Sequence, residues 1–429
     1  MNTADSTTAS HAADDARYLA LKARDARFDG SFFIGVTSTG IYCRPVCKVK
    51  VPRRENCRFF SLAAQAENEG FRPCLRCRPE LAPQSSGVWS IQDASYILAH
   101  QAARLLDEPE AWDMAPTLAA SRAALPPKGA RFASGRPSGK TGSGPTIAQL
   151  AARLGVSDRH VRRIFEAQFG VSPVQYLQTR RLLTAKQLLA DTSLPITQVA
   201  LISGFASVRR FNAAFVEHYK LNPTQLRREG AAPAAQGIHV RLGYRPPYDA
   251  QAMMAFFSRR LIQSIEFVNE APGQLGLGRT LRVESGGKVY AGWMAGSFDE
   301  ARSQVILAVS DSLREVLPVV IRRLRAALDL DADPQAINHA LHDSFPLGDG
   351  LRVPGAMDGY ELAVRAVLGQ QITVAAARTL AQRMVDTFGE PIETPWPALT
   401  RLFPAPAVLA GASGDALGQL GIVKQRQAA

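Results

Sequence analysis

The chain has 429 residues, 46% of them hydrophobic, and a formal net charge of +12 at pH 7. That length exceeds one ordinary core and points to two to four globular domains. The basic excess points to a polyanionic partner, nucleic acid above all, with a merely solvated basic surface as the plain alternative. No apolar run reaches the roughly 18 residues of a membrane-crossing helix, and the polar start "MNTADSTTASHAADDARYLA" lacks the apolar segment of a signal peptide. Membrane and secreted classes are thereby set aside, and a reducing cytoplasm, close to the nucleoid, is the expected location.

Residues 1–14 read as a disordered lead. All five cysteines then fall between residues 43 and 77, four of them in two close pairs, Cys43/Cys47 and Cys74/Cys77. Where structural disulfides are rare, two short-spaced pairs brought together by a folded segment make a tetrahedral thiolate site for Zn2+. Free buried thiols or a redox pair are the competing readings. Cys57, beside Phe59 and Phe60, reads as a small core residue. Arg44, Lys48, Lys50, Arg53, Arg54 and Arg58 surround the first pair against one acid, Glu55. A zinc-bound thiolate stays deprotonated and nucleophilic, so here it lies on a phosphate-attracting surface, with Arg44, Lys48, Arg53 and Arg54 as candidate DNA contacts.

These residues carry a resemblance. "TSTGIYCRPVCKVKVPRRENCRFF" followed by "GFRPCLRCRPE" is similar to the zinc domain of the Ada family of adaptive-response regulators, over about residues 15–85. The resemblance implies that Cys43 accepts a methyl group irreversibly from a DNA methylphosphotriester, while Cys47, Cys74 and Cys77 complete the zinc site with it. No cysteine follows Cys77, so a second acceptor module is not expected.

A linking helix is expected within 86–114, followed at 115–145 by a flexible linker with five basic residues and no acid. From 146 to 229 a helix–turn–helix pattern occurs twice. In the first copy Ile147, Leu150, Ala151 and Leu154 form one face, Gly155 turns, Ser157 or Asp158 caps, and Val161, Ile164 and Phe165 face inward. In the second, Val199 and Ala200 pack, Gly204 turns, and Phe211 and Phe215 anchor. Twelve basic and five acidic residues lie in this stretch. The arrangement resembles the AraC-type DNA-binding domain, which implies two recognition helices, about 157–169 and 207–218, in successive major grooves of double-stranded DNA. Arg159, His160, Arg162, Arg163, Arg209, Arg210 and Asn212 are the candidate contacts, to bases or to phosphates. An activator of this kind implies RNA polymerase as its protein partner.

Residues 238–352 alternate as strands, with a hairpin at Gly286-Gly287, and carry helices. An α+β domain with an antiparallel sheet is expected. "YRPPYD", "LRVPGAMDGYELAVRAVLGQQITV" and "LGQLGIVKQRQAA" resemble the alkyl-base DNA glycosylases of the AlkA family. By that resemblance Gln371 holds the place of the residue that fills the gap left by a flipped base; hydrogen bonding at a helix start is the alternative for Gln370 and Gln371. The family's helix-hairpin-helix and catalytic aspartate have no match in the residues after "LGQLG". Residues 353–429 therefore read as an incomplete all-α glycosylase module, with Asp415 at a surface helix start. The expected fold is multidomain α+β: a small zinc-bound α/β domain, an all-α paired helix-turn-helix domain, the α+β domain and the partial helical module. The expected function is a DNA alkylation-damage response activator. A glycosylase with regulatory N-terminal domains, and a plain regulator with a structural zinc, are the alternatives.

Overall fold

The structure, a computed structural model, describes residues 3–83, 94–107, 146–227 and 237–427. The linker expected at 115–145 lies outside the described residues. Mixed α and β elements build several packed units.

The N-terminal lead is a correction: helix α1 spans Thr3–Ala23. Alanine-rich sequence favours a helix once one end is anchored. Here the anchor is Ala20 and Leu21, buried against Phe32, Ile34, Val36 and Cys57, with the Tyr18 hydroxyl donating to the Pro52 carbonyl at 2.9 Å. Cys57 lies in that core, as its neighbours predict. Strands β1 (Phe33–Val36), β2 (Ile41–Cys43), β3 (Cys57–Phe60) and β4 (Arg72–Pro73) form a sheet in the order β3-β1-β2-β4, with helix α2 (Ala63–Asn68) between β3 and β4. β1 pairs antiparallel with β2 and β3, and β2 pairs parallel with β4. That parallel pairing places Cys43, at the end of β2, beside Cys74, just past β4.

Helix α3 (Ala94–Asp107) packs Ala102 and Leu106 on α4 (Ile147–Leu154) and α5 (Asp158–Phe169), against Leu150, Ala151, Val161 and Phe165. Ser157, not Asp158, caps α5, accepting from the His160 N–H at 3.3 Å. Gly155 turns with φ of +68°, a conformation that favours glycine. Helix α6 (Pro173–Asp191) joins this unit to α7 (Ile196–Ile202) and α8 (Val208–Tyr219), where Gly204 turns at φ of +84° and Phe211 and Phe215 are fully buried. The short helix α9 (Pro223–Arg227) closes the unit.

Strands β5 (Ile238–Gly243), β6 (Glu266–Asn269), β7 (Gly276–Ser285), β8 (Lys288–Asp299) and β9 (Gln304–Val309) form an antiparallel sheet in the order β5-β9-β8-β7-β6, with helix α10 (Ala250–Ser258) between β5 and β6. Ser285 pairs with Lys288, and Gly286 and Gly287 have φ of +57° and +74°, the two-residue hairpin loop in which both positions need left-handed backbone. Helices α11 (Leu317–Ala327) and α12 (Pro334–Leu341) follow. The helical module after 355 begins with two helices, α13 (Gly359–Gly369) and α14 (Val374–Phe388), each with its own cap, Asp358 and Thr373. Leu362 is exposed, whereas Leu368 is buried against Met384 and Val385.

Buried charges join the units. Lys186 and Asp191 of α6 meet Glu80 and Arg78, with Lys186 Nζ to Glu80 at 2.5 Å and Arg78 to Asp191 at 2.6 Å. Burial pushes the Glu80 carboxyl up, but Lys186 and Arg78 outweigh it and hold the group below its ordinary 4.5. A carboxyl lowered in this way stabilises the folded chain above 4.5 and loses that contribution as the pH falls through the lowered value. Thermal stability should therefore hold from neutral pH to about pH 5 and drop steeply below about pH 4. Glu80→Gln should flatten part of that drop. A melting temperature independent of pH over that range, measured by circular dichroism, contradicts the assignment.

Candidate metal centre and nucleic-acid interface

The four predicted cysteines converge. The sulfurs of Cys43, Cys47, Cys74 and Cys77 all lie within 4.8 Å of one another. A tetrahedral zinc with bonds of about 2.3 Å sets sulfurs roughly 3.8 Å apart, so the cluster fits that ion. Hydrogen bonding to Cys47 and Cys74 pushes the Cys43 thiol up, burial and then its sulfur neighbours push Cys77 up, and the thiols donating to Cys74 pull it down. A divalent cation among the sulfurs removes that competition and lets all four ionise.

Local backbone explains the convergence. The Cys74 N–H donates to the Tyr42 carbonyl at 2.9 Å, and the Cys47 N–H closes a turn on the Arg44 carbonyl at 3.1 Å. The Cys77 sulfur accepts the Arg44 N–H at 3.4 Å. Cys43, Cys47 and Cys74 line a recess of about 500 Å³ whose walls include Ile34, Val36 and Val51, with Lys50 and Arg53 among its polar lining.

The basic residues around the first pair differ from one another. Arg44 is a correction: it is buried, ion-paired with Asp29, and donates to the Cys77 carbonyl at 3.0 Å. A guanidinium this close to a thiolate cluster is used to hold the ligand loop, and no DNA contact is open to it. Arg54 pairs with Asp15 at 2.8 Å and lies 5.2 Å from the Phe59 ring centre, so it mainly secures α1. Lys48 and Arg53 are exposed, Arg53 with Glu55 at 3.6 Å.

On α5, Arg159, Arg162 and Arg163 are exposed, and Arg163 donates to His160 Nδ1 at 3.1 Å. On α8, Arg209, Arg210 and Asn212 are exposed. Both helices begin and end within a residue of the predicted recognition helices. Gln371 is exposed at the tip of the α13–α14 turn with φ of +57°, and Thr373, not a glutamine, caps α14. Asp415 is exposed in the first turn of the helix Gly414–Gln419. No helix among the described residues is long and apolar enough to cross a membrane.

Three family models match: the metal-binding domain of Ada over residues 16–80, a helix-turn-helix domain over 150–229, and the AlkA N-terminal domain over 239–358. A probable bifunctional transcriptional activator/DNA repair enzyme AlkA of Mycobacterium tuberculosis is 33% identical over 422 residues, covering 96% of this chain and 75% of that protein. The chain belongs to this family of bifunctional activator/repair proteins. The bifunctional transcriptional activator/DNA repair enzyme AdaA of Bacillus subtilis is 27% identical over 213 residues, 50% of this chain and 82% of that one. DNA-3-methyladenine glycosylase 2 of Escherichia coli is 33% identical over 185 residues, 43% of this chain and 62% of that one. The four-cysteine cluster is the zinc site of the Ada-type domain in this family member.

Asp29 and Lys186 have no mark in the local sequence: Asp29 reaches the centre through Arg44, and Lys186 through the Cys74 carbonyl.

Proposed function

We propose that Cys43 is a stoichiometric methyl acceptor for DNA methylphosphotriesters, and that the methylated protein binds promoter DNA through α5 and α8 and recruits RNA polymerase. The observation that carries this is the four-sulfur cluster within the matched Ada metal-binding domain, with Cys43, the first cysteine of the first pair, on the wall of the recess beside Lys50 and Arg53. Zinc, when bound, keeps that sulfur ionised at neutral pH. The thiolate attacks the methyl carbon in line, a sulfur–carbon bond forms, the methyl carbon–oxygen bond breaks, and the electron pair leaves on the phosphate, which becomes an ordinary diester. No proton need move. A thioether does not readily give the methyl back, so each chain reacts once.

Four thiolates around a divalent cation leave two negative charges, and three leave one. That loss reduces repulsion from the DNA backbone beside Lys48 and Arg53 and tightens binding. Incubation with methylphosphotriester duplex should add about 14 Da, one methyl in place of one hydrogen, to the intact mass of the zinc-loaded chain. Peptide mapping should place it on Cys43. A methyl on Cys47, or none with zinc present, rejects the proposal.

A second reading, excision of alkylated bases by the C-terminal part, draws its support from the match to the AlkA N-terminal domain. Release of 3-methyladenine from duplex, scored as abasic sites, tests it directly.

A further inference from the structure

Arg44, ion-paired with Asp29, ties the two cysteine pairs together within the Ada-type domain: its N–H donates to the Cys77 sulfur at 3.4 Å and its guanidinium to the Cys77 carbonyl at 3.0 Å. The Cys74–Cys77 loop leans on α6, the helix that joins the two helix-turn-helix units. Lys186 of α6 is 1% exposed, and its Nζ donates to the Cys74 carbonyl at 3.0 Å as well as to Glu80. Leu75, between the two ligands, packs against the core that contains Leu182 and Leu188 of α6. Arg78, directly after Cys77, reaches Asp191 at the end of α6.

We propose that Lys186 is a positioning residue for the zinc centre, supplied by the helix-turn-helix domain of the same chain. Its ammonium fixes the carbonyl of a ligand residue, and with it the direction of the Cys74 sulfur. Two carboxylates, Glu80 and Asp191, meet Lys186 and Arg78, with the half-exposed Arg241 at 3.7 Å from Asp191, so every buried charge of the set is paired and the interaction is built for placement. The zinc centre and the pose of α6 are then linked: a shift of one ligand moves the carbonyl that Lys186 holds, and a shift of α6 moves the ligand. Partners of metal ligands that act through hydrogen bonds commonly change metal affinity by about 10–100-fold when removed.

Zinc release from the full-length, zinc-loaded chain to a chromophoric chelator tests this, whether or not Cys43 takes a methyl group. Lys186→Met should release zinc about ten-fold faster or more. Glu80→Gln, which disturbs the same interface but leaves the Lys186 ammonium on the Cys74 carbonyl, should accelerate release far less. Release by Lys186→Met at the unaltered rate overturns the proposal. So does equal acceleration in both variants in step with their loss of thermal stability, because that marks Lys186 as ordinary interface packing. Should Lys186→Met fail to fold, Lys186→Gln carries the test with the same two outcomes, its shorter neutral amide placing no ammonium on the Cys74 carbonyl.

Discussion

Cys74→Ser is expected to abolish zinc binding and to unfold the Ada-type domain, while Cys57→Ser keeps both metal and fold. The domain has little else to hold it: its sheet has strands of two to four residues. Binding of a structural zinc contributes on the order of 10–16 kcal/mol of apparent folding free energy at neutral pH. Removing one thiolate from the parallel β2–β4 junction also removes the reason for the Cys74–Cys77 loop to stay beside Cys43. Cys57 lies in a different core, with Ala20, Leu21 and Ile34, and its thiol donates to the Arg53 carbonyl at 3.3 Å, a bond that serine can reproduce. Metal content and the near-ultraviolet circular dichroism of the two variants decide the matter. A Cys74→Ser chain that retains stoichiometric zinc, or a Cys57→Ser chain that loses it, is incompatible with the assignment.

The second large effect is expected at Arg245, a side chain 1% exposed at the meeting point of the Ada-type domain and the five-stranded sheet. Its Nε donates to the Asp29 carbonyl at 2.6 Å, its Nη1 to the carbonyls of Asp331 at 2.8 Å and Ala332 at 3.0 Å, and its Nη2 to that of Pro83 at 3.4 Å. Close by, a Cβ at Gly243 would lie 2.4 Å from the Leu81 carbonyl oxygen, so the two units approach with backbone against backbone. Arg245→Ala leaves several buried carbonyls without donors at about 1–3 kcal/mol each, partly relieved by water, for a loss of about 3–5 kcal/mol. The loss should appear as separation of the Ada-type domain from the rest: a second unfolding transition in calorimetry and new cleavage between residues 83 and 94 under limiting protease. A single transition displaced by less than about 1 kcal/mol would count against Arg245 as the joint.

The Arg44 result shows how far residue type alone carries. In sequence, Arg44 is one of six basic residues around a cysteine pair, and nothing local separates it from Lys48 or Arg53. Only the fold brings Asp29 to it, through the turn after α1, and only then does its charge become structural instead of available to DNA. The N-terminal lead fails in the same way. Its composition is polar, but alanine propensity and the apolar residues just beyond it make a helix once a sheet exists for that helix to cover.

Patterns set by short-range physics were legible in the amino-acid order. Paired cysteines at tetrahedral spacing, turn glycines with left-handed backbone, the Ser157 cap of α5 and the glycine pair of the β7–β8 hairpin each depend on a few neighbouring residues, and each is where the sequence places it. The helix start read at Gln370 and Gln371 lies two or three residues early: Thr373 caps α14, and Gln371, at φ of +57°, sits in the turn before it. Which basic residue is buried, which lysine holds a ligand carbonyl, and which arginine joins two units were decided by tertiary structure alone. Long-range burial turns a solvated charge into one that must be paired, and the partner can come from any part of the chain.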